Sequence, residues 1–188
     1  MSSAYKVVAI GGSAGSFQVV GRILQGLPRG FSLPLLLCLH RLKHVRSGFV
    51  EALSQRSVLP VVEPYDKDVV REGVAYIAPA NYHMYVEVGG RFALSAEGML
   101  NHSRPSIDLT FYSVARTYRD KAVGIVLSGA NRDGAAGLSY LKRLGGVALV
   151  QSLSECEVRT MPEAAKECTD LDGELRTEEL VEYLKSLC

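Results

Sequence analysis

The chain has 188 residues, 47% hydrophobic and 22% charged, with a formal net charge of +1. That length buries one sizeable core, is short for two domains, and the composition excludes a disordered chain. The near-neutral charge offers no bulk field toward nucleic acid or a membrane surface, so a charged partner must be read through local patches.

The first apolar run, Tyr5–Ile10, ends in Gly11-Gly12-Ser13-Ala14-Gly15-Ser16, and Phe17–Gln25 then carries apolar residues at helical spacing until Gly26 and Pro28. Leu33–Leu39 is a second apolar run, ending at His40-Arg41. Runs without alternation suit strands covered on both faces, as in a parallel sheet. Ser47–Gln55 reads as a helix and Val58–Glu63 as a third strand. Val74–Ala78, Met84–Val88 and Phe92–Ala96 read as strands, the last two joined through Gly89-Gly90, a two-residue hairpin signal. The α/β rhythm then returns with helix Ser106–Arg119, strand Ala122–Ser128, helix Gly134–Leu144, strand Val147–Gln151 and a short helix Met161–Cys168. Thr177–Leu187 forms the last predicted helix, with Thr177 as N-cap, glutamates in the first turn and Lys185 in the last. The pattern predicts a single doubly wound α/β domain over 1–188: a mostly parallel sheet, helices on both faces and an inserted antiparallel hairpin.

Cys38, Cys156, Cys168 and Cys188 form no C-x-x-C pair and no disulfide framework, which suits a reducing compartment. Cys38, inside the apolar run Leu35–Leu39, reads as a buried thiol. The N-terminus lacks a basic-then-apolar signal segment, and no apolar stretch approaches the roughly 20 residues of a membrane span. The expectation is a cytoplasmic protein with no direct membrane insertion and no nucleic-acid partner.

Gly11-Gly12-Ser13-Ala14-Gly15 matches G-x-S-x-G between a strand and a helix. The glycines let the backbone bend sharply and push the serine hydroxyl off the strand end, and the following helix start points amide donors at developing negative charge. Such turns also serve as phosphate loops or as plain connections. A dinucleotide fingerprint fails, because serines stand where its second and third glycines belong and the second strand ends at His40 rather than near an acid. A P-loop fails for want of Gly-Lys-Ser/Thr. The ordinary α/β-hydrolase fold is disfavoured, because it places several strands before the elbow and orders its triad Ser…Asp…His, whereas only ten residues precede Gly11 here.

Parallel strands end at one edge, so residues just past different strands converge. Ser13, His40 and Asp133 all fit that description. A serine hydroxyl needs a base, a neutral imidazole serves near pH 7, and a carboxylate behind the imidazole fixes its tautomer. Each has a plain alternative: His40 as a strand-end residue, Asp133 as a helix N-cap. His40 and His44 are spaced as H-x-x-x-H, but no glutamate follows His40 and no third ligand is well placed, so no metal is expected. His44 and His83 read as loop residues, His83 in the turn before the hairpin.

Ala9-Ile10-Gly11-Gly12-Ser13-Ala14-Gly15-Ser16 resembles the nucleophile segment of protein-glutamate methylesterases of the CheB type, and Leu39-His40 falls where that family has its histidine. Tyr76-Ile77-Ala78-Pro79 with His83, Arg104-Pro105-Ser106-Ile107-Asp108, Leu127-Ser128-Gly129 with Asp133-Gly134-Ala135-Ala136-Gly137, and Met161-Pro162-Glu163-Ala164 resemble further family segments, in order, over roughly residues 5–170. The resemblance implies hydrolysis of glutamate γ-methyl esters on chemoreceptor cytoplasmic helices with release of methanol, deamidation of certain glutamines, and no cofactor. Ser13, His40 and Asp133 fall at the catalytic positions, with Ala14, Ala130 and Asn131 as candidates for the oxyanion and substrate loops.

Two segments depart from the family. Arg41-Leu42 follows the histidine in place of Met-Pro, and Ala130-Asn131-Arg132 stands in place of Met-Gly-Asn. Arg41 and Arg132 are therefore candidates for a cationic rim facing glutamate-rich receptor segments, or are simply solvated. The 188 residues include no counterpart of the family's receiver domain, whether the chain is an excised domain, part of a larger fusion or stand-alone; the expectation is that it acts without prior activation and ignores small phosphodonors, or answers to a separate regulatory partner. A small-molecule esterase or amidase on the same scaffold and an inactive receptor-binding adaptor are the alternatives; the intact Ser13, His40 and Asp133 favour catalysis.

Overall fold

A computed structural model of the chain describes residues 5–40 and 48–188. Seven parallel strands form the central sheet: β1 (Val7–Gly12), β2 (Leu35–Leu39), β3 (Val61–Val62), β4 (Ala75–Ile77), β7 (Ala122–Val126), β8 (Val147–Gln151) and β9 (Gly173–Leu175), in the order β3-β4-β2-β1-β7-β8-β9. The hairpin β5 (His83–Glu87) and β6 (Arg91–Ser95) is a separate two-stranded antiparallel sheet.

Every residue of β1, β2 and β7 is buried, which is why these segments read as unbroken apolar runs. The pleat sends alternate side chains into two cores. Val8, Ile10, Leu35, Leu37, Val123 and Ile125 join one core with α1 (Ser16–Gly26) and α6 (Thr177–Lys185). Val7, Ala9, Leu36, Cys38 and Val126 join the other with α3 (Ile107–Tyr118), α4 (Ala135–Arg143) and α5 (Thr160–Cys168). The short α2 (Phe49–Ser54) follows β2 in the chain. Among the described residues no helix is long and apolar enough to cross a membrane.

The hairpin register differs from expectation. Glu87 pairs with Arg91, so the loop is Val88-Gly89-Gly90, three residues rather than two, and the strands begin one residue earlier. β5 and β6 do not join the main sheet; they lie on α3, whose Thr110 Oγ1 donates to Met84 O (2.8 Å) and whose Thr117 Oγ1 donates to Val86 O (3.1 Å). β3 shrinks to two residues at the sheet edge, and β9 was not expected. α6 is capped differently: Arg176 is the N-cap, its N–H donating to Glu179 Oε2 (2.8 Å), while the Thr177 hydroxyl donates to Glu155 Oε2 (2.8 Å).

The chain leaves β1 through α1 toward β2 on one side, and β7 through α4 toward β8 on the other. Connections therefore diverge around β1, and the crevice beyond its C-terminal end is the place where such sheets bind ligands.

Candidate active site

Beyond β1 the chain turns through Ser13-Ala14-Gly15 into α1. Gly15 adopts φ +80°, a left-handed conformation in which an added Cβ would also lie 2.6 Å from Glu157 Cβ. The turn is pinned from three sides: Ser13 N–H donates to Ser128 O (2.9 Å), Ser16 Oγ donates to Ser13 O (2.6 Å) and Ser128 Oγ donates to Ala14 O (2.6 Å). α1 carries no acid in its first turn and no capping side chain. The exposed Ala14 keeps its N–H without a protein acceptor among the described residues.

His40 is the first residue past β2, and its N–H donates to Gly12 O (3.0 Å), which seats it against the residue before Ser13. Its side chain is 12% exposed, and Nε2 lies 2.7 Å from Asp133 Oδ2. A carboxylate only accepts, so Nε2 carries the hydrogen and Nδ1 of the neutral ring is left as the acceptor. The hydroxyl found nearest Nδ1 is that of Ser103, at 3.4 Å. Ser13 Oγ makes no hydrogen bond to His40; the two residues share the edge through their backbones.

Asp133 is fully buried and surrounded by donors. Its Oδ2 accepts from His40 and from Ile107 N–H (2.7 Å); its Oδ1 accepts from Ser106 Oγ (2.9 Å), Asp108 N–H (3.1 Å) and Asn101 Nδ2 (3.0 Å). Burial is the largest single influence and pushes its pKa up, but His40, the Ile107 amide and Asn101 together hold it below the ordinary carboxylate value. Asp108, in the first turn of α3, is its counterpart. Asp108 Oδ1 accepts from Gly134 N–H (3.0 Å) and Gly137 N–H (2.6 Å) at the start of α4. Each acid thus occupies the N-terminus of the other's helix, where amide hydrogens and the dipole favour an anion. Burial leads again for Asp108, and here it prevails, raising the pKa.

The remaining candidates are spread along the same edge. Asn131 Oδ1 accepts from Asp133 N–H (3.0 Å), and its Nδ2 reaches Ser103 Oγ at 3.5 Å. Ala130 is exposed on the loop after β7. Arg132 is exposed and paired with Glu167 at 3.0 Å. Arg41 and His44 lie outside the described residues. Among the described residues no group of three or more His, Cys, Asp or Glu side chains could hold a metal.

His83 corrects an expectation. It is fully buried, its Nδ1 accepting from Ser106 N–H (3.1 Å) and its Nε2 donating to Gly98 O (2.9 Å), so it fastens the hairpin to the residue that starts α3. Cys38 is buried as expected, and burial drives its thiol pKa far up. Sequence reading assigned no role to Asn101, Ser103, Ser106 or Asp108. The last two sit in the Arg104–Asp108 motif, and a serine N-cap two residues before an aspartate was the available signal. Beside Ser103, Arg104 joins Glu63, Pro79, Ala80, Asn81, Tyr82 and Ala96 around a concavity of about 520 Å³.

Fold and site together define a doubly wound α/β protein with a histidine–carboxylate pair at the switch point of its sheet. The model of the CheB methylesterase family matches residues 8–184, and the chain belongs to that family of hydrolases. A putative protein-glutamate methylesterase/protein-glutamine glutaminase of Leptospira interrogans is 35% identical over 178 residues, 95% of this chain and 92% of that protein. A protein-glutamate methylesterase/protein-glutamine glutaminase of Pseudomonas savastanoi pv. phaseolicola is 34% identical over 98% of this chain but only 48% of its own length. The crystal structure of the Thermotoga maritima CheB methylesterase catalytic domain superposes with a TM-score of 0.93 at 29% identity, covering 98% of this chain and 99% of that one.

Proposed function

We propose that the chain hydrolyses glutamate γ-methyl esters on chemoreceptor cytoplasmic helices, releasing methanol and restoring glutamate, with deamidation of glutamine as a companion activity, and that it works in the cytoplasm as a CheB-type catalytic domain. The names carried by its relatives support the substrate class, and the 2.7 Å contact between His40 Nε2 and Asp133 Oδ2 beside the Ser13 turn carries the chemistry.

In this reading Ser13 Oγ attacks the ester carbonyl while His40 Nδ1 takes its proton. Asp133 holds the ring in the tautomer with Nε2–H and stabilises the imidazolium that forms. The oxyanion meets the Ala14 N–H and the start of α1, with the 130–131 loop opposite. Collapse transfers the proton to the departing methoxide, giving methanol and a seryl ester. Water, deprotonated by the same nitrogen, then releases the glutamate and regenerates Ser13.

The decisive measurement is methanol release from methyl-labelled receptor. Ser13→Ala and His40→Ala should each lower turnover by about 10⁴-fold or more, since triad members act as a unit. Ser103 is the rival nucleophile because its hydroxyl is the one found near His40. A fluorophosphonate probe should label Ser13, and Ser103→Ala should keep that label. Full turnover by folded Ser13→Ala would sink the reading.

A further inference from the structure

The one amide nitrogen of Asn101 serves two acids: Nδ2 lies 2.8 Å from Asp108 Oδ2 and 3.0 Å from Asp133 Oδ1. An amide nitrogen carries two hydrogens, so each carboxylate receives one. The orientation is compelled, because turning the amide over would aim its oxygen at two carboxylate oxygens. The backbone commits the residue to this task. Leu100 and Ser103 pair across a tight turn in which Asn101 and His102 both adopt positive φ (52° and 61°), and asparagine is among the side chains that tolerate it best. Asn101 is exposed at the turn while its amide reaches inward.

The two acids are not equally provided for. Asp133 keeps four other donors if Asn101 is taken away, whereas Asp108 Oδ2 has Asn101 as its one hydrogen-bond donor among the described residues. Without the amide, a buried oxygen of Asp108 would face Asp133 with no hydrogen between them. Like charges so placed cannot both remain ionised at little cost.

We infer that Asn101 is a positioning residue for the reaction: its amide lets Asp108 and Asp133 stay charged side by side, and so sets the pH range in which Asp133 can support His40. This rests on the triad reading above. Among the described residues the groups facing the pair are His40 beyond β2, Asn101 and Ser103 from the turn, Ser106 at the N-cap of α3, Cys38 on β2 and Tyr112 on α3. Burial first, and the two acids after it, push both Cys38 and Tyr112 upward, leaving them neutral from pH 5 to 9. Arg143 lies near Tyr112, and Arg132 pairs with Glu167 at 3.0 Å, away from the two acids in solvent.

The test is the pH profile of kcat/KM for methanol release by the full chain, with melting temperature recorded beside it. Asn101→Ala should lower kcat about 10- to 100-fold, leave KM within about twofold, and move the acid limb to higher pH by at least half a unit, because the uncompensated negative charge favours a protonated pair. Asn101→Asp, close in shape, should move the limb in the same direction and serves if the alanine variant does not fold. The rescue is specific. In Asn101→Ala with Asp108→Asn, the new amide can keep its oxygen on Gly134 and Gly137 and turn its nitrogen toward Asp133 Oδ1, so most of the lost kcat and the original acid limb should return. An unmoved acid limb in a folded Asn101 variant, or a double variant no better than the single one, overturns the inference. Turnover surviving in Ser13→Ala would instead overturn the triad reading, and Asn101 variants play no part in that outcome.

Discussion

Three of the helices that begin at the C-terminal edge of the sheet, α1, α3 and α4, are treated in opposite ways. The N-termini of α3 and α4 are filled by each other's acids, Asp133 on the Ile107 and Asp108 amides and Asp108 on the Gly134 and Gly137 amides. α1 starts with neither an acid nor a capping side chain, and the Ala14 N–H stays without a protein acceptor among the described residues. A helix start attracts negative charge wherever it is not already satisfied. The protein thus spends two of these helix starts on fixing Asp108 and Asp133 and keeps the third open beside Ser13. In the proposed reaction the difference separates what must never move from what must accept a charge only in passing.

The comparison breaks first at Asp133. Asparagine has a single oxygen, so its NH2 would face donors, and His40 would have to take the other tautomer. In the serine-protease template the equivalent change costs about 10⁴ in kcat, and a similar loss is expected here. At least one buried donor loses its acceptor, which costs about 1–3 kcal/mol. The pH dependence has a definite sign. A carboxylate held below its unfolded pKa contributes stability that is present above about pH 4 and lost as pH falls through the folded value. The difference in melting temperature between the wild type and Asp133→Asn should therefore narrow between pH 5 and pH 3. A gap that widens on acidification would mean that Asp133 is not the stabilised anion described.

That Ser13, His40 and Asp133 lie at one edge of the sheet was legible in the sequence for a geometrical reason. Each follows an unbroken apolar run, and parallel strands bring such positions to one edge whatever lies between them. Asn101 was not legible. Its two partners lie 7 and 32 residues away and are met only because the 100–103 turn folds back over two helix starts. His83 misled for a related reason: a histidine at the head of a hairpin looks solvent-facing until α3 covers it. β9 escaped because Gly173-Glu174-Leu175 is too short to show a period, and the hairpin register slipped because two glycines suggest a two-residue loop while Val88 makes a third. Local patterns specify strand ends; donors supplied from distant loops leave no local pattern.

The reciprocal arrangement also needs α3 and α4 unusually close. A Cβ at Gly137 would lie 2.8 Å from Phe111 Cβ and 2.9 Å from the Asp108 backbone, none of it a yielding side-chain tip. Gly137→Ala should push the helices apart, weaken the Gly137 N–H bond to Asp108 and cost about 1–3 kcal/mol in chemical denaturation. Gly30→Ala is the control: nothing lies within 4 Å of its Cβ, and the change should stay within about 0.5 kcal/mol. Turnover of Gly137→Ala should fall as well, since Asp108 and Asp133 shift together. Equal stabilities for the two variants would show that the close approach is not what holds the two acids in place.

The smallest expected effect is at Arg132, one residue from Asp133 yet outside the network. Its guanidinium pairs with Glu167 at 3.0 Å, and both side chains are largely in solvent, 62% and 64% exposed. An exposed pair of this kind contributes little to stability, so Arg132→Glu should leave the melting temperature close to wild type. Its effect belongs to substrate approach. Reversal places a negative group beside Glu167 at the edge where a glutamate-rich receptor segment would arrive, and the two would repel. KM for the protein substrate should rise about twofold at 20 mM salt and return to the wild-type value by 150 mM, where screening acts over about 8 Å. kcat should not change, because the charge faces neither Ser13 nor His40. A rise in KM that persists at high salt would mean direct contact with substrate rather than a field at the rim, and would draw Arg132 into the site with Asp133.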